Sequence, residues 1–363
     1  MIRKLATIQQ IKAILPIEGA DAIELAEIMG WRCVVKKGEF CPGDIGVYFE
    51  VDSFLPLDDR YEFLRKSSYR NNEYMDDGSG EKGKGFRIKT ITLRGEISQG
   101  LILPLASFPE LADRDFPAGA DVTELLSVRK WEVPEYTGNM GTAIGGKPLG
   151  IPTTDETRLQ SMPEYLDAFS GKPYYISTKL DGTSCTIYHN DGAVGVCGRN
   201  EEYRDDAASS AMWAWVYKNN LKDKLIALGE NIAIQGEFCG AGIQKNRLKL
   251  NEPNLFIFDI IKLSEGGGKV GLAVMQEYCQ HLGLETVPIE ETGDSFNYDL
   301  SELLEKAKGK YASGLDKEGI VVRTQETDKG TFSVTKEDGS VGSAVRRLSF
   351  KVINNDFLKK EKD

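Results

Sequence analysis

The chain has 363 residues, 40% of them hydrophobic, with a formal net charge of −11, six cysteines and two histidines. That length supplies two domains with cores of their own, and no apolar run is long enough to cross a bilayer. The acidic balance argues against coating nucleic acid by bulk charge. Cys33, Cys41, Cys185, Cys197, Cys239 and Cys279 form no Cys-x-x-Cys, which argues for free thiols over zinc ligands.

The N-terminal stretch MIRKLATIQQIKAILP has no unbroken apolar segment and no small-residue cleavage pattern, so a cytoplasmic protein is expected. Short strands are predicted over Ala22–Met29, Trp31–Lys36, Ile45–Val51, Phe86–Leu93 and Leu101–Leu105, with turn residues Gly38, Pro42 and Gly43 between the second and third. Five such strands predict an N-terminal all-β domain over residues 1–115, a small closed barrel of the OB type. Ser67–Gly85 is glycine-rich and hydrophilic and reads as a mobile loop. Arg60–Arg94 carries Arg65, Lys66, Arg70, Lys82, Lys84, Arg87 and Lys89, interrupted by Glu62, Glu73, Asp76, Asp77 and Glu81. It is either a solvated loop or a phosphate-tracking surface.

Residues 116–153 read as a connector, with Pro117, Pro134 and the glycines from Gly138 to Gly150. Gly141–Lys147 spells Gly-x-x-x-x-Gly-Lys, but Pro148 follows where a P-loop needs Ser or Thr, so a flexible linker is expected. Residues 154–363 mix helices and strands. One helix is predicted from about Asp206 to Leu228, others at Ala273–Leu282 and Leu300–Ala307. Strands are predicted at Asn231–Phe238, Leu255–Ile261, Gly319–Arg323 and Leu348–Ile353. That irregular order points to an α+β domain and away from a doubly wound parallel sheet.

Lys179-Leu180-Asp181-Gly182 lies between two extended runs, Tyr174–Ile176 and Cys185–Tyr188. It places one lysine at a strand end, before a glycine turn and two residues from a carboxylate. Four residues alone are weak, with a chance match on the order of 0.1 per chain of this size. Further segments follow: Gly198-Arg199-Asn200, Gly236-Glu237-Phe238, Phe256-Ile257-Phe258-Asp259, Glu318-Gly319-Ile320-Val321-Val322-Arg323 and Ser349-Phe350-Lys351-Val352. A lysine amine is a nucleophile only when neutral, and its reference pKa near 10.4 leaves it charged at pH 7. A second cation such as Lys351, or a bound divalent metal, would depress that value. Asp181, Glu237 and Glu318 offer hard oxygens for Mg2+ or Mn2+. Phe258 offers a stacking face for a base, and Arg199 a fork for ribose or phosphate.

The order of these segments resembles motifs I, Ia, III, IIIa, IV and V of the covalent nucleotidyltransferases, which include DNA ligases, RNA ligases and mRNA capping enzymes. In DNA ligases and capping enzymes an OB domain follows motif V. Here only Val352–Asp363 follows Lys351, and the expected barrel lies in front. That arrangement resembles the ATP-dependent RNA ligases of the Deinococcus and Naegleria type, across nearly the whole chain. The likeness extends to Thr154-Asp155-Glu156-Thr157-Arg158-Leu159-Gln160 and to Leu93-Arg94-Gly95-Glu96-Ile97-Ser98-Gln99-Gly100-Leu101.

The resemblance implies an α+β nucleotidyltransferase domain, ATP-grasp-like and built on antiparallel sheets. It implies Lys179, Asp181, Glu237, Glu318 and Lys351 as catalytic residues, with Asp181, Glu237 and Glu318 on the metal. Arg158, Thr178, Gly182, Arg199, Phe258 and Lys351 would bind ATP, Arg158 at the departing pyrophosphate. The substrates implied are RNA 3′-hydroxyl and 5′-phosphate ends, nicked duplexes above all, with the chain read as a monomer and no protein partner indicated. Two positions depart from the family pattern. Ser349 stands where many members have the first lysine of motif V, and Thr178 precedes the nucleophile where several ligases have glutamate, so an adenine contact there would come from backbone. A DNA ligase, a GTP-using guanylyltransferase and a catalytically dead binding protein are the alternatives. The stretch GWRCVVKKGEFCPGDIGVYFEVDS also resembles tRNA-binding OB modules, and a barrel that only braces the catalytic domain is a further alternative.

Overall fold

The computed structural model describes residues 4–76, 78–112, 116–132, 141–264, 267–335 and 341–360. Asp77, Pro134 and Gly138 lie outside the described residues. The chain divides into two compact units, one built on residues 1–134 with 333–343 and 358–363, the other on 135–332 and 344–357. No helix among the described residues is long and apolar enough to span a membrane.

The first unit is all-β apart from short helical turns. Ile45–Phe49 is the centre of a three-stranded sheet, flanked antiparallel by Ala6–Gln10 and Leu101–Pro104. Ala13–Pro16, Ile23–Ile28 and Trp31–Lys36 form an antiparallel meander. In the last of these Trp31, Cys33 and Val35 are buried while Arg32 and Val34 are half-buried, the two-residue period of a half-covered strand. A third sheet orders Arg129–Lys130, Ser53–Leu55, Lys84–Arg87 and Tyr69–Asn71, and Ile91–Leu93 pairs with Glu96–Ser98 in a hairpin.

Among the described residues the strands do not close into one hydrogen-bonded ring, which corrects the closed barrel expected above. At the junction between the meander and the hairpin, Ser98 Oγ accepts from Val34 N and Gln99 N donates to Arg32 O. Such side-chain and single backbone bonds join sheets without propagating a ladder. Ser67–Gly85 is also corrected: Arg65–Ser68 is a helical turn and Tyr69–Asn71 a strand. Arg65 stacks on Tyr69 and Phe86, a contact that fixes this segment and that sequence spacing does not show. Several basic residues of this region are committed to carboxylates: Arg60 to Asp58 and Glu110, Arg65 to Glu62, Arg87 to Asp52.

The second unit holds a seven-stranded sheet in the order Ala143–Gly146, Glu201–Tyr203, Ala193–Cys197, Thr183–Asn190, Ile232–Cys239, Asn254–Lys262 and Glu285–Thr286. Only its last pair is parallel. A four-stranded antiparallel sheet orders Ile289–Gly293, Tyr174–Lys179, Gly319–Thr324 and Ser349–Ile353. Ala143–Gly146, expected as linker, is thus an edge strand, paired with Glu201–Tyr203 across a bulge.

The predicted single helix after Asp206 is two, Ala211–Lys218 and Leu221–Leu228, broken where Asn220 turns left-handed at φ 51°. Asparagine tolerates that conformation, and Asn219 caps the first helix by donating its amide to Trp215 O. Helix faces bearing Met212, Trp213, Val216, Leu225, Met275 and Cys279 pack with Ile187, Ile234 and Ile257 of the larger sheet. Leu303 and Ala307 pack with Ile176, Ile320, Val322 and Phe350 of the smaller one. Lys329–Thr335 and Val341–Arg347 are strands the sequence reading did not anticipate.

Candidate active site

The chain crosses from the smaller sheet to the larger one through Leu180, Asp181 and Gly182. Lys179 is the last residue of its strand and pairs with Gly319. Gly182 starts the return, with its amide donating to Glu237 Oε1 at 3.1 Å. A Cβ at Gly182 would meet Cys239 Sγ and Phe238 O at 2.6 Å, so only glycine lets this turn lie on the Glu237 strand.

A cavity of about 350 Å3 opens over this crossing. Its walls include Thr178, Lys179, Gly182, Arg199, Glu237, Phe258 and Lys351, together with Asp155, Glu156, Gln244 and Arg323. The size suits a nucleotide-scale ligand. Six of the predicted residues therefore share one cavity with the lysine, although 172 positions separate Lys179 from Lys351.

Lys179 Nζ donates to Glu318 Oε2 at 2.6 Å. Burial alone would lower the pKa of this amine. The carboxylates of Glu318, Glu237 and Asp181 outweigh burial and hold it above the ordinary lysine value. The expected depression of Lys179 by Lys351 is therefore corrected. The cations resolve the other way: burial, with Lys179 and Arg158 nearby, pushes Lys351 down to about 8. Lys351 is seated by its amide, which donates to Thr157 O, so Arg158 runs beside it. Glu237 is pushed up to about 7 by burial and by the charges of Glu318 and Asp181, against the pull of Lys179.

Asp181 pairs with Arg247 Nε at 2.9 Å, and Arg247 in turn lies over Phe357. Among the described residues no three His, Cys, Asp or Glu side chains are grouped to hold a metal ion. The predicted trio is not a ready-made cage, because Glu318 is engaged by Lys179 and Asp181 by Arg247. Its oxygen chemistry still fits a hard divalent cation.

Phe258 has Arg323 against its ring at 5.6 Å, and Arg323 also donates to the Phe258 carbonyl. Arg323 is buried with Glu156 at 2.7 Å, and Ser349 donates to the other Glu156 oxygen. Burial works against ionisation of Glu156, but Arg323 and Lys269 hold it below the usual carboxylate range. Ser349, where the family pattern has lysine, thus serves a buried charge network. Arg199 is paired with Asp155 at the rim, both half-exposed, a pair that solvent or a ligand can open at small cost. The Thr178 amide donates to Pro288 O and its hydroxyl to Glu290. Sequence reasoning missed Arg247 and Tyr311 altogether. Neither belongs to a motif, and both act on atoms far away in the chain.

Family models match both halves, an OB-fold domain at residues 5–105 and RNA ligase at residues 172–341. The chain is similar to the solved structure of Naegleria gruberi RNA ligase with PPi, at 37% identity over 99% of both chains with a TM-score of 0.75. The chain belongs to the RNA ligase family. A lysine-to-methionine mutant of the Naegleria enzyme with AMP and Mn matches at 36% identity over 99% of each chain, TM-score 0.77. A glutamate-to-alanine mutant with ATP and Mn matches at 37% over 99% of this chain and all of that one, TM-score 0.76. Comparison with curated proteins gives no match. The family assignment makes the chain an RNA ligase and its first unit an OB-fold domain. It also fits the site: a strand-end lysine among carboxylates, under a cavity of nucleotide size.

Proposed function

We propose that this chain is an ATP-dependent RNA ligase that joins 3′-hydroxyl and 5′-phosphate ends, at nicks in duplexes, through a lysyl-AMP on Lys179. The observation that carries the reading is the 2.6 Å contact between Glu318 and the Nζ of Lys179, the lysine that lines the cavity. The Naegleria structures with ATP, AMP and Mn support the choice of nucleotide and ion.

In the first step the ammonium gives a proton to the Glu318 carboxylate. The neutral amine attacks the α-phosphorus of ATP, an N–P bond forms, and the bond to the β-phosphate oxygen breaks to release pyrophosphate. Phe258, braced by Arg323, offers its face to adenine. Arg199 exchanges Asp155 for ribose or phosphate, while Arg158 and Lys351 meet the phosphates. Asp181, Glu237 and Glu318 would hold Mg2+ or Mn2+ between them. When bound, that ion supplies positive charge that lowers the lysine pKa and neutralises the transferring phosphate. In the second step a 5′-phosphate oxygen attacks the AMP phosphorus and the N–P bond breaks. In the third a 3′-hydroxyl attacks the 5′-phosphorus, AMP leaves, and the strand is closed.

The test is incubation with α-labelled ATP and Mg2+ or Mn2+, followed by denaturing electrophoresis. Label should appear on the wild-type polypeptide and be absent from Lys179→Ala. No label on wild type, or equal label on both, defeats the proposal. Replacing ATP with GTP in that assay tests the nucleotide, and comparing RNA with DNA 3′-ends in the sealing of a nick tests the substrate.

A further inference from the structure

The two strands that carry Lys179 and Glu318 pair regularly from Tyr174 with Thr324 to Lys179 with Gly319. Beyond that last pair a foreign group enters the ladder. Glu318 N donates to the hydroxyl of Tyr311 at 2.9 Å, and the same hydroxyl donates to Lys179 O at 2.8 Å. One phenol oxygen thus links the backbone of the amine to the backbone of its carboxylate partner. The next pair of this register would be Leu180 with Glu318, so the phenol ties the two strand ends where the ladder stops.

Tyr311 is held on its own side. Its ring is buried with Leu180, Cys239 and Val287, and a tight turn fixes its backbone through Tyr311 N to Leu315 O and Gly314 N to Tyr311 O. Tyr311 is not among the residues lining the cavity. It therefore acts on the chemistry through the two residues it joins.

We propose that Tyr311 is a positioning residue for lysine adenylation: its hydroxyl ties the two strand ends so that Lys179 Nζ keeps the place beside Glu318 from which its attack begins. The inference rests on the function proposed above. A misplacement of about 1 Å at a reacting pair can cost on the order of 100-fold in rate. The lysine is the nucleophile of the first step only, so the effect should be confined to that step.

Tyr311→Phe in the full-length chain removes the hydroxyl and keeps the ring. Three measurements read the result: the rate constant and ATP half-saturation for labelling of Lys179, the sealing of a nicked RNA duplex supplied already adenylated, and amide exchange along the chain. The expected outcome is at least a tenfold lower labelling rate constant, ATP half-saturation within about twofold of wild type, and pre-adenylated sealing within about twofold. Amide exchange should quicken at Glu318 and stay unchanged in the Leu272–Leu282 helix. An unchanged labelling rate overturns the inference, and so does an equal fall in labelling and pre-adenylated sealing, which would mark general damage to the fold. If wild type labels and Tyr311→Phe matches it, only this inference fails. If wild type takes no label, the ligase reading fails and takes the inference with it.

Discussion

Glu237 shows what the site costs the fold. Its carboxyl is pushed up to about 7 by burial and by Glu318 and Asp181, whereas an unfolded glutamate titrates near 4.3. Between those values the folded chain binds a proton that the unfolded chain has released. Stability therefore falls as pH rises through that window, and the whole deficit is present above it. Glu237→Gln removes the titration and keeps the shape. The variant should melt higher than wild type at pH 8, by on the order of 5 °C, with the gap shrinking to a fraction of that at pH 5. Lysine labelling by ATP should fall about 100-fold or more in the same variant. Thermal melts at the two pH values check the first claim, and an equal gap at both would sink it. At this scale the sequence was partly legible. The convergence of Glu237, Phe258 and Lys351 on one cavity with Lys179, and of Glu318 on its amine, was legible in the order of their motifs. The charge state of Lys179 was not, because it depends on how three carboxylates and one lysine balance in space.

The strand Gly319–Thr324 is central to the smaller sheet and delivers Glu318 to the lysine. Its first residue has φ +154°, and a Cβ there would sit 2.1 Å from Val352 O. Gly319→Ala must push the Ser349–Ile353 strand away, and with it Lys351. We expect a loss of about 2–4 kcal/mol, read as a lower urea midpoint at unchanged slope, together with slower labelling of Lys179. A midpoint equal to wild type would show that the sheet yields without cost. Elements with strong periodicity were legible almost to the residue. Trp31–Lys36 and Leu300–Ala307 carry the bounds the sequence predicts. The failures have local causes. Asn219–Asn220 break a helix whose apolar pattern continues across them. Ala143–Gly146 has too little side chain to announce a strand and is held by the register of Glu201–Tyr203. Tyr69–Asn71 depends on Arg65, Tyr69 and Phe86 stacking across the sheet.

Over the whole molecule, the division of labour follows from where the apolar side chains go. The clusters around Phe49 and Trp31 draw only on residues before 130, and those around Ile234, Phe350, Leu180 and Ile151 only on residues after 150. The two-domain plan was legible because the composition of the chain changes between these cores. The closure of the first domain was not, because it turns on which backbone groups meet at the ends of short strands. Every residue assigned to adenylation belongs to the second unit. A chain reduced to residues 141–363 should therefore still fold and label Lys179 with AMP, at a rate within about tenfold of the full chain. The same chain should join nicked RNA duplexes far less well, because OB-fold strands are a general surface for nucleic acid. Labelling and sealing are measured side by side, with a melt to confirm folding. Full sealing by the shortened chain would mean that the first unit contributes nothing to RNA. A folded but unlabelled chain would mean that adenylation needs groups outside the cavity described above.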